Sequence, residues 1–314
     1  MTQYIIRRLI YALFIIWGCA TIVFFLLRLV PGDPVSVMLG REYTPQAAAQ
    51  MRKNLGLDQP IYVQYVKWMG NVLHGNLGKS IDTKESVSGQ IAEAFPKTLS
   101  ITILAFIFGV VVAVPMGMLA ALRRNSIFDY LASGITLIGI SLPTFWFGIV
   151  FILIFAVQFR WLPSVGYVSP RDGVWPWFEH LILPAFAAGV GEAAILVRFV
   201  RAGLLEVLGS DYVRTARAKG LRETRVILNH AMRNSMIPVV TIAGLSLAGL
   251  LGGLVITETV FAISGIGRLL TTAIFAKDYP IVQGVILLIT LFFVLANLAV
   301  DILYTFLDPR IRYG

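Results

Sequence analysis

Residues 211–234, DYVRTARAKGLRETRVILNHAMRN, concentrate basic side chains in a chain that is otherwise apolar. At about 3 kcal/mol for each Arg or Lys at the middle of a bilayer, placing six of them in lipid would cost on the order of 18 kcal/mol. The stretch is therefore predicted to lie in water, between segments that lie in the membrane. The six Arg and Lys residues of the stretch are Arg214, Arg217, Lys219, Arg222, Arg225 and Arg233.

The rest of the chain has the composition of a membrane protein. Of its 314 residues, 57% are hydrophobic and 14% are charged, and the mean hydropathy is +0.79. This balance argues against a soluble basic protein, so the net charge of +9 does not indicate nucleic-acid binding. Uncharged runs long enough to cross a hydrocarbon core of about 30 Å as helices occur at 9–27, 99–122, 130–159, 236–257 and 281–300.

A sixth run, residues 180–197, contains Glu192 but is otherwise apolar. Counting it, the sequence predicts an all-α integral membrane protein with six transmembrane helices and both termini on one side. That side carries fourteen Arg and Lys residues in its loops and termini, and the two short loops opposite carry four. Basic loops stay in the cytoplasm, so both termini are predicted to be cytoplasmic.

This topology divides the chain into three parts. Residues 1–30 form the cytoplasmic N-terminus and first span, and residues 31–97 form an extracytoplasmic segment. Residues 98–314 form a transmembrane core of five helices, which includes a cytoplasmic loop at 204–235. Membrane lipid is the surrounding partner.

The sequence shows no constellation for covalent chemistry. Cys19 is the one cysteine, which excludes an intrachain disulfide or a cysteine metal cluster. The fragment HGNLGKS at 74–80 resembles part of a phosphate-binding loop, but Leu73 stands where that loop requires its first glycine. We therefore predict no catalytic, cofactor-binding or metal-binding residues in this chain.

The basic stretch itself has the pattern of two short helices separated at Gly220. Tyr212, Ala216 and Lys219 share one face of the first helix, and Gly220 suits the left-handed conformation that ends a helix. A basic loop held on anionic lipid is the alternative, which accounts for the charge but not for the length or the central glycine. The second helix carries Val226, Ile227, Ala231 and Met232 toward the next span.

The stretch also carries a resemblance. DYVRTARAK at 211–219 and GLRETRVILNHAMRNSMIPVVT at 220–241 resemble the cytoplasmic loop of binding-protein-dependent ABC transporter permeases of the dipeptide, oligopeptide and nickel branch. The general permease motif has Glu-Ala-Ala before the glycine, whereas this chain has Arg-Thr-Ala at 214–216, as in the peptide branch. The resemblance runs end to end through LVPGDP (29–34), LGLDQPIYVQY (55–65), ETVFAISGIGRLL (258–270), AKDYPIVQG (276–284) and DILYTFLDPRIRYG (301–314).

The resemblance implies a type I ABC importer permease fold in the bacterial inner membrane, closest to dipeptide-type permeases. It implies three kinds of partner: a second homologous permease, two ATP-binding subunits and an extracytoplasmic substrate-binding protein. ATP and Mg would bind to the partner ATPases and not to this chain. Dipeptides or short oligopeptides are the implied cargo, with glutathione or nickel complexes as alternatives in the same branch. The implied coupling residues are Asp211, Tyr212, Arg214, Thr215, Ala216, Arg217, Ala218, Lys219 and Gly220.

Three acids in or near the spans are further candidates, because an intramembrane carboxylate needs water or a partner. Glu258 and Asp301 fall near span ends, where solvation or capping accounts for them, and Glu192 lies deeper. Glu192 either faces a transport pathway or hydrogen-bonds a neighbouring helix. An ion-driven secondary transporter is the rival class, which would favour deep ionisable residues and inverted repeats, whereas this sequence shows one deep acid and no clear repeat.

Two other features allow two interpretations each. Gly249 and Gly253 form a GxxxG pattern, which lets a helix pack closely either within the chain or against a second subunit. The aromatic-rich outer loop at 160–178 either lies at the membrane interface or contacts the substrate-binding protein. Its candidate contact residues are Val165, Gly166, Tyr167, Arg171 and Asp172.

Overall fold

The computed structural model describes residues 2–29, 34–40 and 43–307, and within these ranges it contains helices but no β-strand. Residues 31–33 of the predicted helix break and residues 308–314 of the C-terminal motif lie outside these ranges. The first helices are α1 (Thr2–Leu29), α2 (Pro34–Leu39), α3 (Pro45–Leu55), α4 (Ile61–Leu73), α5 (Val87–Leu122), α6 (Ile127–Ser141) and α7 (Thr144–Phe151). The others are α8 (Val174–Leu208), α9 (Asp211–Ala218), α10 (Glu223–Arg225), α11 (Met232–Gly253), α12 (Val255–Val260), α13 (Ile266–Phe275) and α14 (Tyr279–Leu307).

Five helical segments among the described residues are long and apolar enough to cross a membrane. They are Ile6–Leu29, Val87–Leu122, Val174–Leu208, Glu223–Gly253 and Tyr279–Ile302. Each contains one of the predicted apolar runs or most of it, including the run at 180–197. The helical segments extend beyond most of those runs, because a helix continues past the hydrocarbon core wherever its backbone hydrogen bonds stay satisfied.

The predicted span at 130–159 consists of two helices that meet at a sharp bend. Helix α6 ends at Ser141, and the chain bends by 103° before α7 begins at Thr144. Helix α7 then continues as a π-helical segment, Ile152–Gln158. Pro143 lies in the bend, where it has no backbone N–H to donate and disfavours helical backbone at Leu142, which is extended here. With this bent pair counted as one span, the total is six.

One compact unit consists of residues 1–97 and 264–294. Its core contains Val87 and Ile91 at the start of α5, packed with residues of α13 and α14 such as Ala273 and Val285. Asp278, which is buried, accepts a 2.5 Å hydrogen bond from the hydroxyl of Ser80. This bond joins the loop before α5 to the turn between α13 and α14.

The other compact unit consists of residues 98–263 and 295–314. Helix α8 is its centre and contacts α6, α7, α11 and α12. Small residues lie where α8 meets its neighbours: a Cβ placed on Gly117 of α5 would lie 2.7 Å from Val200, and one on Gly203 would lie 2.9 Å from the carbonyl oxygen of Ser235 on α11. The helices therefore approach at backbone distance, as membrane helices with small residues at their interfaces do.

The two compact units group residues by packing, whereas the three predicted parts follow the membrane topology and stay a prediction. The division at residue 97 lies inside the continuous helix α5. Residues 264–294 pack with residues 1–97. Different parts of one long helix pack against different neighbours, so changes in local composition do not mark this division.

Candidate functional site

Helix α9 presents a polar surface on a buried apolar base. Val213 is 0% exposed and Ala216 is 7% exposed, and both pack with Val226 of the π-helical segment Val226–Ala231. All the other residues from Asp211 to Gly220 are exposed. The implied coupling residues thus form one short helix, Asp211–Ala218, and the turn that ends it, and most of their side chains are exposed.

The residues predicted to share one face of α9 differ in exposure. Ala216 is buried together with Val213, whereas Tyr212 and Lys219 are exposed. Tyr212 lies at the edge of the buried face, where its hydroxyl accepts a 2.8 Å hydrogen bond from the side-chain amide of Asn234 on α11.

The base of α9 continues into three other helices. Leu204 near the end of α8 and Ala121 at the end of α5 pack with Ala231 and Met232 at the start of α11. Of the second-helix residues expected to face the next span, Val226, Ala231 and Met232 are buried. A displacement of α9 therefore meets close-packed side chains that belong to α5, α8 and α11.

Residues on the exposed surface of α9 form ion pairs. Arg214 pairs with Asp211 one turn earlier, and Arg217 donates a 2.7 Å hydrogen bond to Glu223 across the glycine turn. The hydrogen bond to Glu223 raises the pKa of the Arg217 guanidinium, which stays charged at any physiological pH. Solvent screens these exposed pairs, so they add little to stability and their charges remain available to a partner.

Gly220 adopts the left-handed conformation that the sequence predicts. Its φ is +72°, and its N–H donates a 2.9 Å hydrogen bond to the carbonyl oxygen of Arg217. Helix α9 ends two residues earlier, at Ala218, and α10 begins at Glu223. The glycine reverses the chain within a few residues, which keeps α9 and the following helix adjacent.

A buried ion pair between Asp129 and Arg201 lies close to this region in the same unit. Arg201 Nε and Nη2 donate hydrogen bonds of 2.6 and 2.8 Å to the two carboxylate oxygens of Asp129, which is buried. The backbone N–H of Asn125 donates a further 3.0 Å bond to the same carboxylate. The pair joins the α5–α6 turn to α8, ten residues before α9 begins.

Sequence reasoning missed this pair. Arg201 was counted only as one of the basic residues of its side, and Asp129 was not singled out at all. The available signal was an acid in the first turn of a helix after a short basic turn, a pattern that also fits simple capping of the helix N-terminus. Its partner is 72 residues away, so spacing along the chain does not reveal it.

The three candidate acids occupy different environments. Glu258 is 0% exposed and accepts a 2.5 Å hydrogen bond from the hydroxyl of Thr98, so it is not solvated. Glu192 is buried on α8, beside Gly109 of α5 and near Ser246 of α11. Its Oε1 atom has no hydrogen-bond partner within the described part of the chain. Asp301 lies half-buried on α14, and the structure does not bring the three acids into one site.

The outer loop is tethered at one point and exposed at another. The N–H of Gly166 donates a 2.8 Å hydrogen bond to the carbonyl oxygen of Phe261, and Tyr167 packs against the core of its unit. Val165, Arg171 and Asp172 are exposed. The loop is therefore an anchored surface rather than a free tail.

The glycines of α11 separate into two groups. A Cβ on Gly244 would lie 1.8 Å from Cγ2 of Val300 on α14, so this glycine serves packing within the chain. A Cβ on Gly249 or Gly253 would meet no atom within 4 Å among the described residues. Gly249 and Gly253 therefore face away from the other described helices of this chain.

The fold and this arrangement define a class of protein: a helical membrane protein with several spans and a short amphipathic helix carried between two of them on a buried base. Residues 113–313 match the family described as binding-protein-dependent transport system inner membrane component, and residues 1–102 match the N-terminal family of the same membrane components. The chain belongs to this family. It is therefore a multi-pass protein of the inner membrane and a membrane component of ABC importers.

Curated relatives and solved structures agree with this assignment. The chain is 44% identical over 313 residues to a probable peptide ABC transporter permease, y4tP, of Sinorhizobium fredii, covering 100% of both chains. It is 41% identical over 337 residues to the dipeptide transport system permease DppB of Escherichia coli, covering 100% of this chain and 99% of the relative. A chain of the MetNI methionine ABC transporter shares the fold, with a TM-score of 0.57, 20% identity, and coverage of 70% of this chain and 97% of that chain.

Proposed function

We propose that this chain is the membrane-spanning subunit of an ATP-driven importer for dipeptides or short oligopeptides. The observation that carries the proposal is the arrangement of helix α9. Its polar surface is exposed, while Val213 and Ala216 are buried against Val226. The names of the full-length relatives support a peptide cargo. Glutathione and nickel complexes remain alternatives for the cargo, which the substrate-binding protein selects.

The proposed assembly contains this chain, a second homologous permease, two ATPase subunits and an extracytoplasmic substrate-binding protein. The ATPases bind ATP and Mg, and this chain contributes no catalytic residue. In this arrangement α9 and both termini are cytoplasmic, as the distribution of Arg and Lys predicts. Gly249 and Gly253 face the second permease, because their open side meets no other described part of this chain.

The residues of α9 suggest how ATPase movement reaches the spans. A partner contacts Arg214, Thr215, Arg217 and Lys219, which are exposed. Pushing on α9 moves Val213 and Ala216 against Val226, and the close-packed base passes the displacement to α8 and α11 as rigid bodies. The Asp129–Arg201 pair holds α6 to α8 during that movement. The pathway would thus alternate between two arrangements of whole helices.

The candidate acids take structural roles in this proposal. Glu258 joins α12 to the Thr98 position of α5, and Glu192 packs between α8 and Gly109 of α5. Both are buried inside one chain, whereas a pathway formed between two permeases would be lined by residues exposed in each of them. Asp301 is half-buried, and solvation or capping at the end of its span accounts for it.

We propose that the outer loop contacts the substrate-binding protein through Arg171 and Asp172, which are exposed beyond the tether at Gly166. Deleting residues 165–172 tests this role. Uptake should fall while the amount of the chain in the membrane is unchanged. Unchanged uptake by the deleted chain would remove the loop from the proposal.

The energy source is tested by uptake of a labelled dipeptide into cells that lack other peptide importers and express this chain with its partner subunits. A partner ATPase deficient in hydrolysis should abolish uptake, whereas collapsing the proton gradient at constant ATP should leave it unchanged. The opposite pattern would establish the ion-driven secondary transporter. Competition by unlabelled dipeptide, glutathione and a nickel complex then identifies the cargo class.

A further inference from the structure

Helix α4 is fixed to the last turns of α1. The hydroxyls of Thr21 and Tyr65 lie 2.8 Å apart. Arg28 Nε and Nη2 donate hydrogen bonds of 3.3 and 3.1 Å to Oε1 of Gln64. These contacts fix both the position of α4 and its rotation about its own axis.

Aromatic rings reinforce the same side of α4. The ring of Phe24 lies 5.2 Å from that of Tyr65 and 5.1 Å from that of Trp68, centroid to centroid. The guanidinium of Arg28 lies 3.4 Å from the Phe24 ring centroid. Gln64, Tyr65 and Trp68 therefore define the side of α4 that faces α1.

A second side of α4 is apolar and exposed. Tyr62, Val66 and Leu73 are 67%, 66% and 79% exposed, and Met69 lies between them on the helix. At about 100° per residue, these four residues fall within an arc of about 60°. The centre of that arc is about 100° away from Tyr65 and Trp68, so the apolar stripe is separate from the side that faces α1.

A third side of α4 is polar. Lys67 and Asn71 are exposed, and Lys67 donates a 2.8 Å hydrogen bond to the side-chain oxygen of Gln59. The same angular spacing places these two residues about 150° from the centre of the apolar stripe. Helix α4 thus has one side on α1, one apolar side and one polar side.

We propose that α4 lies along the membrane surface at the C-terminal end of α1, with the stripe Tyr62, Val66, Met69 and Leu73 inserted among the lipids. Residues Ile6–Leu29 of α1 form a span of 24 residues, and the contacts with α4 fall between Thr21 and Arg28, in about the last 12 Å of it. That depth is where the hydrocarbon core meets the headgroups.

The end of α1 that holds α4 also exposes apolar side chains. Ile22, Leu26 and Leu29 are exposed at the same end of α1. An amphipathic helix with a polar side opposite an apolar one binds at an interface by burying the apolar side. Tyr62 suits this depth because its ring is apolar and its hydroxyl reaches water. Lipid, rather than a protein partner, is therefore the occupant that the charge distribution of α4 fits.

The test uses the full chain with Cys19→Ser, which removes the one native cysteine. Val66→Cys and Leu73→Cys introduce single spin-label sites on the stripe, and Lys67→Cys and Asn71→Cys introduce matched sites on the polar side of the same helix. The labelled chains are purified with their partner subunits and reconstituted into vesicles of phosphatidylethanolamine and phosphatidylglycerol. Spin relaxation is measured with oxygen, which concentrates in lipid, and with a water-soluble nickel chelate.

Labels at positions 66 and 73 should be relaxed several-fold more by oxygen than by the chelate, and labels at 67 and 71 should show the reverse. Equal access of the chelate to both pairs would overturn the proposal, because the stripe would then lie in water. Protection of positions 66 and 73 from both reagents would also overturn it, in favour of a protein that covers the stripe. Omitting the binding protein then shows which protein covers the stripe. If the protection disappears, the binding protein covers it, and if the protection persists, a second copy of this chain does.

Discussion

Arg201 donates two hydrogen bonds, of 2.6 and 2.8 Å, to the two carboxylate oxygens of Asp129, which lies on a helix 72 residues earlier in the chain. Asp129 is buried and Arg201 is partly exposed, and each neutralises the other. The pair connects the turn after α5, the start of α6 and the end of α8. Because α9 follows α8 directly, the pair holds α6 to the helix through which we propose that α9 moves the spans.

Asp129→Asn should destabilise the chain by about 1 to 3 kcal/mol, because Arg201 would keep its charge in a partly buried place without a counter-charge. Thermal unfolding in detergent, followed by tryptophan fluorescence, measures the loss. Glu93→Gln is the matched control, since it breaks the Glu93–Lys97 pair, in which Glu93 is exposed. The control should cost less than about 0.5 kcal/mol. Similar losses in both variants would contradict a structural role for the buried pair.

Gly220→Pro should abolish ATP-dependent uptake while the chain still inserts into the membrane. Proline cannot adopt the φ of +72° found here and has no N–H to donate to Arg217. Gly220→Ala should retain part of the uptake, because its Cβ meets no atom within 4 Å and only the left-handed backbone costs about 1 to 2 kcal/mol. Uptake and membrane abundance are measured together. Normal uptake by the proline variant would remove the turn from the coupling mechanism.

Val213→Ala should loosen α9 from its base. Val213 is buried against Val226, and removing two methyl groups costs about 2 kcal/mol by transfer and cavity formation. Limited proteolysis of the assembled complex should then cut faster between α8 and α10, and uptake should fall. Val111→Ala, at an exposed valine of α5, is the matched control and should leave the proteolysis rate unchanged. Equal cutting rates in both variants would show that α9 is not held by this contact.

The glycines of α11 should respond to alanine in opposite ways. Gly244→Ala forces a clash with Val300 and should lower the stability of the chain by about 1 to 3 kcal/mol. Gly249→Ala and Gly253→Ala meet open space in this chain and should leave its melting temperature unchanged. In the proposed assembly these two variants should instead reduce the amount of second permease that co-purifies. Unchanged co-purification would place the second permease elsewhere.

Some features of the candidate site could be predicted from neighbouring residues alone. The basic stretch at 211–234 is excluded from lipid by charge, and Gly220 takes the left-handed conformation because no other residue type does so as readily. Such properties depend on the chemistry of a few adjacent residues. The side of α9 that is buried could not be predicted from its own residues, because it depends on the shape of the base, to which α5, α8 and α11 contribute.

The sequence by itself determined where the apolar helices are and that the chain is a membrane protein, because the cost of placing charge or unpaired backbone in lipid is large and local. Only the tertiary structure decided the partners across the chain: Asp129 with Arg201, Glu258 with Thr98, and Gly244 with Val300. It also decided the 103° bend between α6 and α7. Such contacts join residues far apart in the chain, and helices can satisfy the same hydropathy pattern in many arrangements. Close packing selects one of them.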